Sequence, residues 1–364
     1  MIDSRRAPPA SQRQRAARGY LMRATLQPRR ILISGATGTI GRALLPSLQS
    51  FRVPLRVLQH QTSVNGLFGK RAAREESADV PVEIVRGDLG RAASLRGIAE
   101  GCDVVVHAGA RTGFASLARD VQRRVNVSGT EALLSEAQSA GARVFVLIGY
   151  TGTVQEREDS SRPVNEDTPP EGRYESEYVR MKFESEAMVL EANRSGAMAT
   201  MVVSPGVLAQ PGTGTILGGF VKAFITRELP FRLLSDVWLA TTGGGDVGRC
   251  VAAAIERGRG GRRYFVTGDC VRLGQVYELL AELSGVPMPR RRIPDLLVEE
   301  LGLLTPVLPR QSFLRQLVLP RELVLHLKRL APVDNARTRA ELGFAPTPLR
   351  TALSEMIEEG RGRS

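Results

Sequence analysis

Cysteine is scarce in this chain. Cys102, Cys250 and Cys270 are the full set in 364 residues, odd in number, scattered and without CxxC spacing. That argues against a disulfide framework and a thiolate zinc site, and it suits a reduced, cytoplasmic setting. Histidine is as rare: His60, His107 and His326 stand far apart with no HExxH-type spacing, so no metal site is expected. No apolar run approaches the roughly 20 residues that would span a bilayer, so no transmembrane segment is expected. Nor is there an apolar h-region, which argues against secretion. Lysine is nearly absent, with only Lys70, Lys182, Lys222 and Lys328 among fifty basic residues.

The net charge of +12 is unevenly placed: +7 lies in residues 1–30, where eight arginines face Asp3 alone, leaving +5 on the body. No basic helix and no aromatics interleaved with arginines accompany it, so no nucleic-acid partner is expected. Residues 1–28, rich in Arg, Pro, Ser, Gln and Ala, read as a disordered leader with little to bury. A transit peptide is one alternative, and a true start at Met22 is another.

From residue 30 short apolar runs alternate with longer amphipathic stretches, the pattern of a parallel sheet covered by helices. Strands are expected at 30–34, 55–58, 82–85, 103–107, 144–148 and 199–203, and a late one at 262–267. A helix follows the first strand to about Gln49, and another runs over Leu273–Ser284. The doubly wound domain is placed at 29–205. A smaller substrate lobe interleaved with late sheet elements takes 206–359, and 360–364 form a tail. Residues 206–245, with Gly and Pro throughout, read as loop-rich; 295–330, leucine-dense and broken by Pro306, Pro309 and Pro320, reads as short helices. Peripheral membrane contact by that segment is the alternative.

Two constellations carry chemistry. Ser34-Gly35-Ala36-Thr37-Gly38-Thr39-Ile40-Gly41 is a glycine turn between a strand and a helix. Lacking Cβ atoms, Gly35, Gly38 and Gly41 let the backbone turn tightly and approach a dinucleotide pyrophosphate at the helix N-terminus. Tyr178 and Lys182 stand four apart on a helix, hence on one face. An ordinary tyrosine is a poor base at neutral pH, and a neighbouring ammonium lowers its pKa. Thr151, after the fifth strand, is placed to hydrogen-bond a substrate oxygen. Asn126 either anchors a proton-relay water or caps and packs a helix.

The second strand runs out into Gln59, His60, Gln61, Thr62 and Ser63, without the carboxylate that would hold a ribose 2′-hydroxyl. That favours NADP(H) over NAD(H), with His60, Thr62 and Lys70 or Arg71 as phosphate partners. Asp88 after Gly87 either accepts from an adenine amino group or makes a strand-end turn. Ala108, Gly109 and Ala110 keep side chains small where a cofactor or a tight turn needs it.

These pieces stand in the order seen in the extended short-chain dehydrogenase/reductases, which the chain resembles from about Arg30 to about Glu359. They are Gly35–Gly41, Gly87-Asp88-Leu89, His107–Ala110, Asn126-Val-Ser-Gly129-Thr130, Tyr178–Lys182, Pro205-Gly206-Val207 and Asp334–Pro346. The resemblance implies an α/β fold, a Rossmann-type doubly wound parallel sheet with a mostly helical C-terminal substrate lobe. It implies Tyr178 as acid/base and Lys182 as its pKa partner and ribose ligand. Thr151 falls at the family's catalytic Ser or Thr, and Asn126 at its active-site Asn. Cofactor contacts are expected along Gly35, Thr37, Gly38, Thr39, Ile40 and Gly41, at His60, Asp88 and Leu89, at Ala108, Gly109 and Ala110, and at Pro205 and Val207. A homodimer built on paired helices is common in the family; the periodicity here does not prove one.

Two departures stand out. Gly149-Tyr150 replaces the usual hydroxyl pair before Thr151, so Tyr150 is expected to intrude into the pocket. Thr241-Thr-Gly-Gly-Gly245 replaces a bulkier strand and is expected to enlarge or loosen the substrate side. The segment Met201–Gly212 is similar to the 3-beta-hydroxysteroid dehydrogenase and dihydroflavonol-reductase-like branch. Sequence alone thus points to an NADP(H)-dependent reductase or dehydrogenase acting on a ketone or secondary alcohol of an apolar, cyclic molecule. Rival readings are a sugar-nucleotide epimerase or dehydratase with tightly held NAD, using Arg290, Arg291 and Arg292, and a non-catalytic dinucleotide sensor or scaffold.

Overall fold

The computed structural model describes residues 27–63, 67, 80–114, 118–212, 214–304 and 319–362. Almost all of the expected leader lies outside them, as do Lys70, Arg71, Pro306 and Pro309. β1 (Ile31–Ser34) runs into the glycine turn, from which α1 (Thr39–Gln49) leaves. β2 (Leu55–Gln59), β3 (Val82–Arg86) and β4 (Val104–His107) follow. Then α2 (Arg119–Arg123) widens into a π turn over Arg124–Ser128 and continues as α3 (Gly129–Ser139). β5 (Val144–Ile148) leads through the single turn α4 (Gly152–Gln155) to α5 (Glu177–Ala192) and β6 (Ala199–Pro205).

The rest of the chain contributes β7 (Val207–Ala209), α6 (Ile216–Ile225), β8 (Trp238–Gly243) and α7 (Asp246–Arg257). After these come β9 (Arg263–Val266), β10 (Cys270–Arg272) and α8 (Leu273–Ser284). Last are α9 (Asp295–Leu301), α10 (Arg321–Lys328), α11 (Ala336–Leu342) and α12 (Leu349–Gly362).

Seven parallel strands make the large sheet in the order β3-β2-β1-β4-β5-β6-β9. β1, β4, β5 and β6 are buried throughout, which is why they read as unbroken apolar runs. Successive side chains alternate between the two faces. Ile31 and Ile33 join Leu44 and Leu48 of α1 and Val251 of α7 on one face, while Leu32 joins Leu133 of α3 and Val189 of α5 on the other. The strand order reverses between β1 and β4, and the crevice at their C-terminal ends is where a doubly wound sheet binds its ligand.

The smaller lobe has its own core, formed by α6, α8, α10 and α12 around Phe224, Tyr277, Val324 and Leu353. It also carries a three-stranded sheet, β10-β8-β7. That corrects the loop-rich reading of 206–245, which holds two strands and a ten-residue helix. β7 is only three residues long, and β8 finds its antiparallel partner in Cys270–Arg272, so no local pattern announces either.

The expectation for Thr241–Gly245 is also corrected. Thr241 Oγ1 donates to the Asp269 carbonyl at 2.9 Å, and Thr242 Oγ1 donates to that of Val266, pinning the small sheet to the large one. Gly244 and Gly245 line a polar recess beside Thr37 and Thr39, not the apolar side of the lobe. Among the described residues, no helix is long and apolar enough to cross a membrane.

Candidate active site

The glycine turn and the end of β4 are packed backbone to backbone. Gly35 has φ +74°, and a Cβ there would lie 2.5 Å from the Gly109 nitrogen. A Cβ on Gly41 would lie 2.0 Å from the Gly35 carbonyl oxygen. Only glycine allows this approach, which leaves the first turn of α1 open to an anion.

One cleft of about 620 Å³ gathers most of the expected cofactor residues: Gly35, Thr37 and Gly38, then His60, Asp88 and Leu89, and finally Ala108, Gly109 and Ala110. Thr39 lines the neighbouring polar recess, and Ile40 packs down against the core. Val207 is elsewhere, on the wall of the apolar cavity described below, and the Pro205 carbonyl accepts from the Thr151 amide at 3.0 Å. Asp88 makes the local strand-end turn. Its Oδ1 accepts from the Gly90 amide at 2.8 Å, a local turn, while its Oδ2 faces His60 Nε2 at 3.5 Å on the cleft wall.

Three cations on that wall, Arg91, Arg111 and Arg124, escaped the sequence reading. Their signal is weak in a chain where arginine is everywhere. The cradle of close-packed glycines and the flanking cations fit a dinucleotide phosphate group.

Beneath the cleft runs a directional chain of hydrogen bonds. The Gly109 amide donates to Ser34 Oγ at 3.2 Å, and Ser34 Oγ lies 2.6 Å from His107 Nδ1. His107 Nε2 lies 3.0 Å from Thr130 Oγ1, whose own hydrogen goes to the Asn126 carbonyl at 2.6 Å. Thr130 has spent its hydrogen, so Nε2–H donates to it, and Ser34 donates to Nδ1 with the ring neutral. Burial holds it so, pulling the His107 pKa down to about 3, with the Lys182 charge adding to the effect. Asn126 sits in the π turn and braces the loop at Arg111. Its Oδ1 accepts from the Arg111 amide at 2.7 Å, and its Nδ2 donates to the Arg111 carbonyl at 3.0 Å.

Tyr178, Lys182 and Glu186 line up at successive turns of α5, which Ser176 caps by accepting from the Tyr178 amide at 3.2 Å. Lys182 Nζ donates to the Ile148 carbonyl at 2.6 Å. The sequence reading expects the ammonium to lower the Tyr178 pKa. The phenol is instead pushed up to about 12, first by burial and then by the Glu186 charge. Burial lowers the Lys182 pKa, against the pull of Glu186. Glu186 is buried and pairs with Arg263 at 3.2 Å. Its Oε1 accepts from the Tyr150 amide at 2.9 Å. Thr151 is fully buried, and its Oγ1 has no partner among the described residues.

The lobe contributes an apolar cavity of about 510 Å³, walled largely by leucines, including Leu217, Leu233, Leu239 and Leu323, with Lys222 and Glu228 its charged members. Phe114 and Tyr150 close one side, and Phe114 meets Tyr178 edge to face with ring centroids 5.6 Å apart. Phe114 was missed because nothing in its local sequence marks it. Tyr150 does enter the pocket, and its hydroxyl lies 2.9 Å from His326 Nε2, a residue sequence considered only as a metal ligand. The Arg290–Arg292 cluster is not on this cavity, and Arg292 is held by Asp236 at 2.6 Å.

Residues 31–264 match the NAD dependent epimerase/dehydratase family. The chain is 31% identical over 354 residues to sterol demethylase protein B of Methylococcus capsulatus, covering 91% of this chain and 98% of that one. It is 28% identical over 323 residues to a 4-hydroxy-2-methyl-3-oxo-4-farnesyl-3,4-dihydroquinoline-1-oxide ketoreductase of Stigmatella aurantiaca, covering 87% of this chain and 92% of the relative. Among solved structures, the dTDP-glucose 4,6-dehydratase DesIV of Streptomyces venezuelae, bound to NAD, superposes with TM-score 0.70. At 19% identity over 92% of this chain and 97% of that one, it attests the fold alone.

Proposed function

We propose, for a chain that belongs to the NAD dependent epimerase/dehydratase family and is an NAD(P)-dependent oxidoreductase of the extended short-chain type, that it interconverts a ketone and a secondary alcohol on an apolar, cyclic, sterol-like molecule. The observation that carries this reading is the leucine-walled cavity of about 510 Å³, joined to Tyr178 through Phe114. Such a surface favours hydrocarbon rings over a sugar diphosphate, to which it offers Lys222 as its cation among the described residues. The names of the two relatives, one a sterol enzyme and one acting on a farnesylated ring, agree with it.

The chain's own groups divide the work. The backbone of Gly35–Gly38 and the first turn of α1 receive the pyrophosphate, and Asp88 faces the adenosine side. Tyr178 gives its proton to the substrate oxygen in reduction and takes it back in oxidation. Lys182, held on the Ile148 carbonyl, places a positive charge one helical turn from that phenol. Asn126 keeps the Arg111 loop in place. When bound, the nicotinamide supplies the hydride chemistry. NADP(H) is the preferred form on this reading, because β2 ends in Gln59 and His60 without a carboxylate while Arg91 stands on the cleft wall.

The test begins with the cofactor. Purified protein is denatured to identify any released nicotinamide, titrated with NADPH and NADH, and assayed against sterol-like ketones. Exchangeable cofactor, tighter NADPH and turnover of such a ketone are the expected results. Stoichiometric NAD that survives purification, with turnover of a nucleotide sugar, overturns the reading.

A further inference from the structure

The departures at residues 149–151 change which hydroxyl of that segment stands on the apolar cavity beside the Tyr178 phenol. Thr151 is fully buried with its Oγ1 unpartnered, and it is not among the residues that wall the apolar cavity. Tyr150, one residue earlier, is on that wall. Its main chain is clamped: the amide donates to Glu186 Oε1 at 2.9 Å, and the carbonyl accepts from Thr153 Oγ1 at 2.9 Å. Glu186 is itself anchored by Arg263. The Tyr150 hydroxyl meets His326 Nε2 at 2.9 Å, and His326 Nδ1 meets Glu156 Oε2 at 2.6 Å, with both His326 and Glu156 fully buried.

We propose that Tyr150 is the hydroxyl that holds the substrate's own oxygen, with His326 and Glu156 as the positioning residues behind it; this rests on the alcohol–ketone reading given above. The proton logic follows from the partners. Glu156 Oε1 already accepts from the Glu175 amide at 2.6 Å, and Oε2 faces Nδ1, so a carboxylate there requires the proton on Nδ1. With a single ring proton, on Nδ1, Nε2 is the acceptor that takes the Tyr150 hydrogen. The phenol oxygen keeps a lone pair facing the cavity, which accepts from a substrate carbinol O–H. A tyrosine so held presents an acceptor in an otherwise apolar wall.

Two further observations place Tyr150 at the reacting end of the cavity. Phe114 stacks at 5.6 Å from Tyr178 and at 5.4 Å from His326, so one ring touches both the acid/base tyrosine and the dyad. Burial first, then the Tyr178 and Glu156 charges, raise the Tyr150 pKa. Tyr150 therefore stays a neutral hydroxyl that binds and does not compete with Tyr178 as a base. A merely structural reading is that Tyr150–His326 staples α10 of the lobe to the large sheet, and the two roles separate by experiment.

The experiment measures binding to the full-length protein with saturating NADPH, which prevents oxidation of an alcohol. The probes are 5α-androstan-3β-ol and its parent hydrocarbon 5α-androstane, by equilibrium dialysis. Wild type is expected to prefer the alcohol by about fivefold or more, the worth of one neutral hydrogen bond. In Tyr150→Phe that ratio drops by about fivefold while hydrocarbon binding holds. His326→Phe tests the point independently: the ratio falls there too, whereas a staple alone would lower thermal stability and leave the ratio intact. A ratio unchanged in both variants, a wild type that binds both probes equally, or a ratio abolished by Thr151→Val and not by Tyr150→Phe overturns the proposal. Failure to oxidise any sterol-like alcohol with NADP+ or NAD+ would reject the activity itself, while the binding ratio still judges Tyr150.

Discussion

Lys182 donates from Nζ to the main-chain carbonyl of Ile148, 2.6 Å away at the C-terminal end of β5. This bond holds the ammonium on the sheet, one helical turn from the Tyr178 phenol. With Tyr178 pushed up to about 12 by burial and Glu186, the phenol is the form present at neutral pH. Ketone reduction, which needs that acid, should vary little from about pH 7 to about pH 10, whereas alcohol oxidation, which needs the phenolate, should climb across the same range. Tyr178→Phe should lower turnover by roughly 10²- to 10⁴-fold and leave nicotinamide affinity nearly unchanged. Steady-state kinetics in both directions beside a cofactor titration checks both statements; turnover undiminished in Tyr178→Phe removes the mechanism.

Arg91 stands on the cleft wall with His60 and Asp88. If it meets a ribose 2′-phosphate, Arg91→Ser should weaken NADPH by about tenfold and NADH by less than about twofold, since only the charge-assisted bond is lost. Equal weakening of both, read by fluorescence titration, would assign Arg91 to the shared pyrophosphate instead.

His107 links the glycine cradle to the π turn as a neutral ring. Its folded pKa of about 3 lies below the ordinary 6.5, so between those values the unfolded chain binds the extra proton. Stability from this group is therefore complete above about pH 6.5 and drains away as pH falls toward 3, by on the order of 5 kcal/mol at most. His107→Gln, which does not titrate, should be less stable than wild type at neutral pH and close the gap on acidification. Urea unfolding across that range measures it, and parallel curves for the two proteins would sink the idea.

Glu186 and Arg263 form a buried pair, with side-chain exposures of 0% and 9%. Removing one partner leaves a charge without compensation, so Glu186→Gln should cost about 3–5 kcal/mol. Replacing both, as Glu186→Leu with Arg263→Met, should cost less than the single change. A double-mutant cycle in denaturant gives the answer; additive losses would mean that the pair is not coupled.

Much of this protein is local and could be read along the chain. Buried parallel strands such as Val104–His107 and Val144–Ile148 must be apolar on both faces, so their sequences announce them. The glycine turn is legible because only glycine tolerates the approach of Gly35 to Gly109. Tyr178, Lys182 and Glu186 share a face by helical period alone. What the sequence could not show is which distant residues meet. Tyr150 and His326 are 176 positions apart, β8 pairs with Cys270–Arg272, and Arg91 joins Arg111 and Arg124 on one wall. The first meeting depends on how the lobe closes over the sheet, the second on pairing inside the small sheet, and the third on how the strand-end loops converge.

The sequence by itself determined the fold class, the glycine turn and the Tyr–Lys helix, because sterics and helical or strand period act between near neighbours. Only the tertiary structure decided that Thr151 is sealed in the core, that Tyr150 faces the cavity, and that His326 and Glu156 stand behind it. Those outcomes arise from packing between segments far apart in the chain, where burial and paired charges, not local propensity, choose the partner.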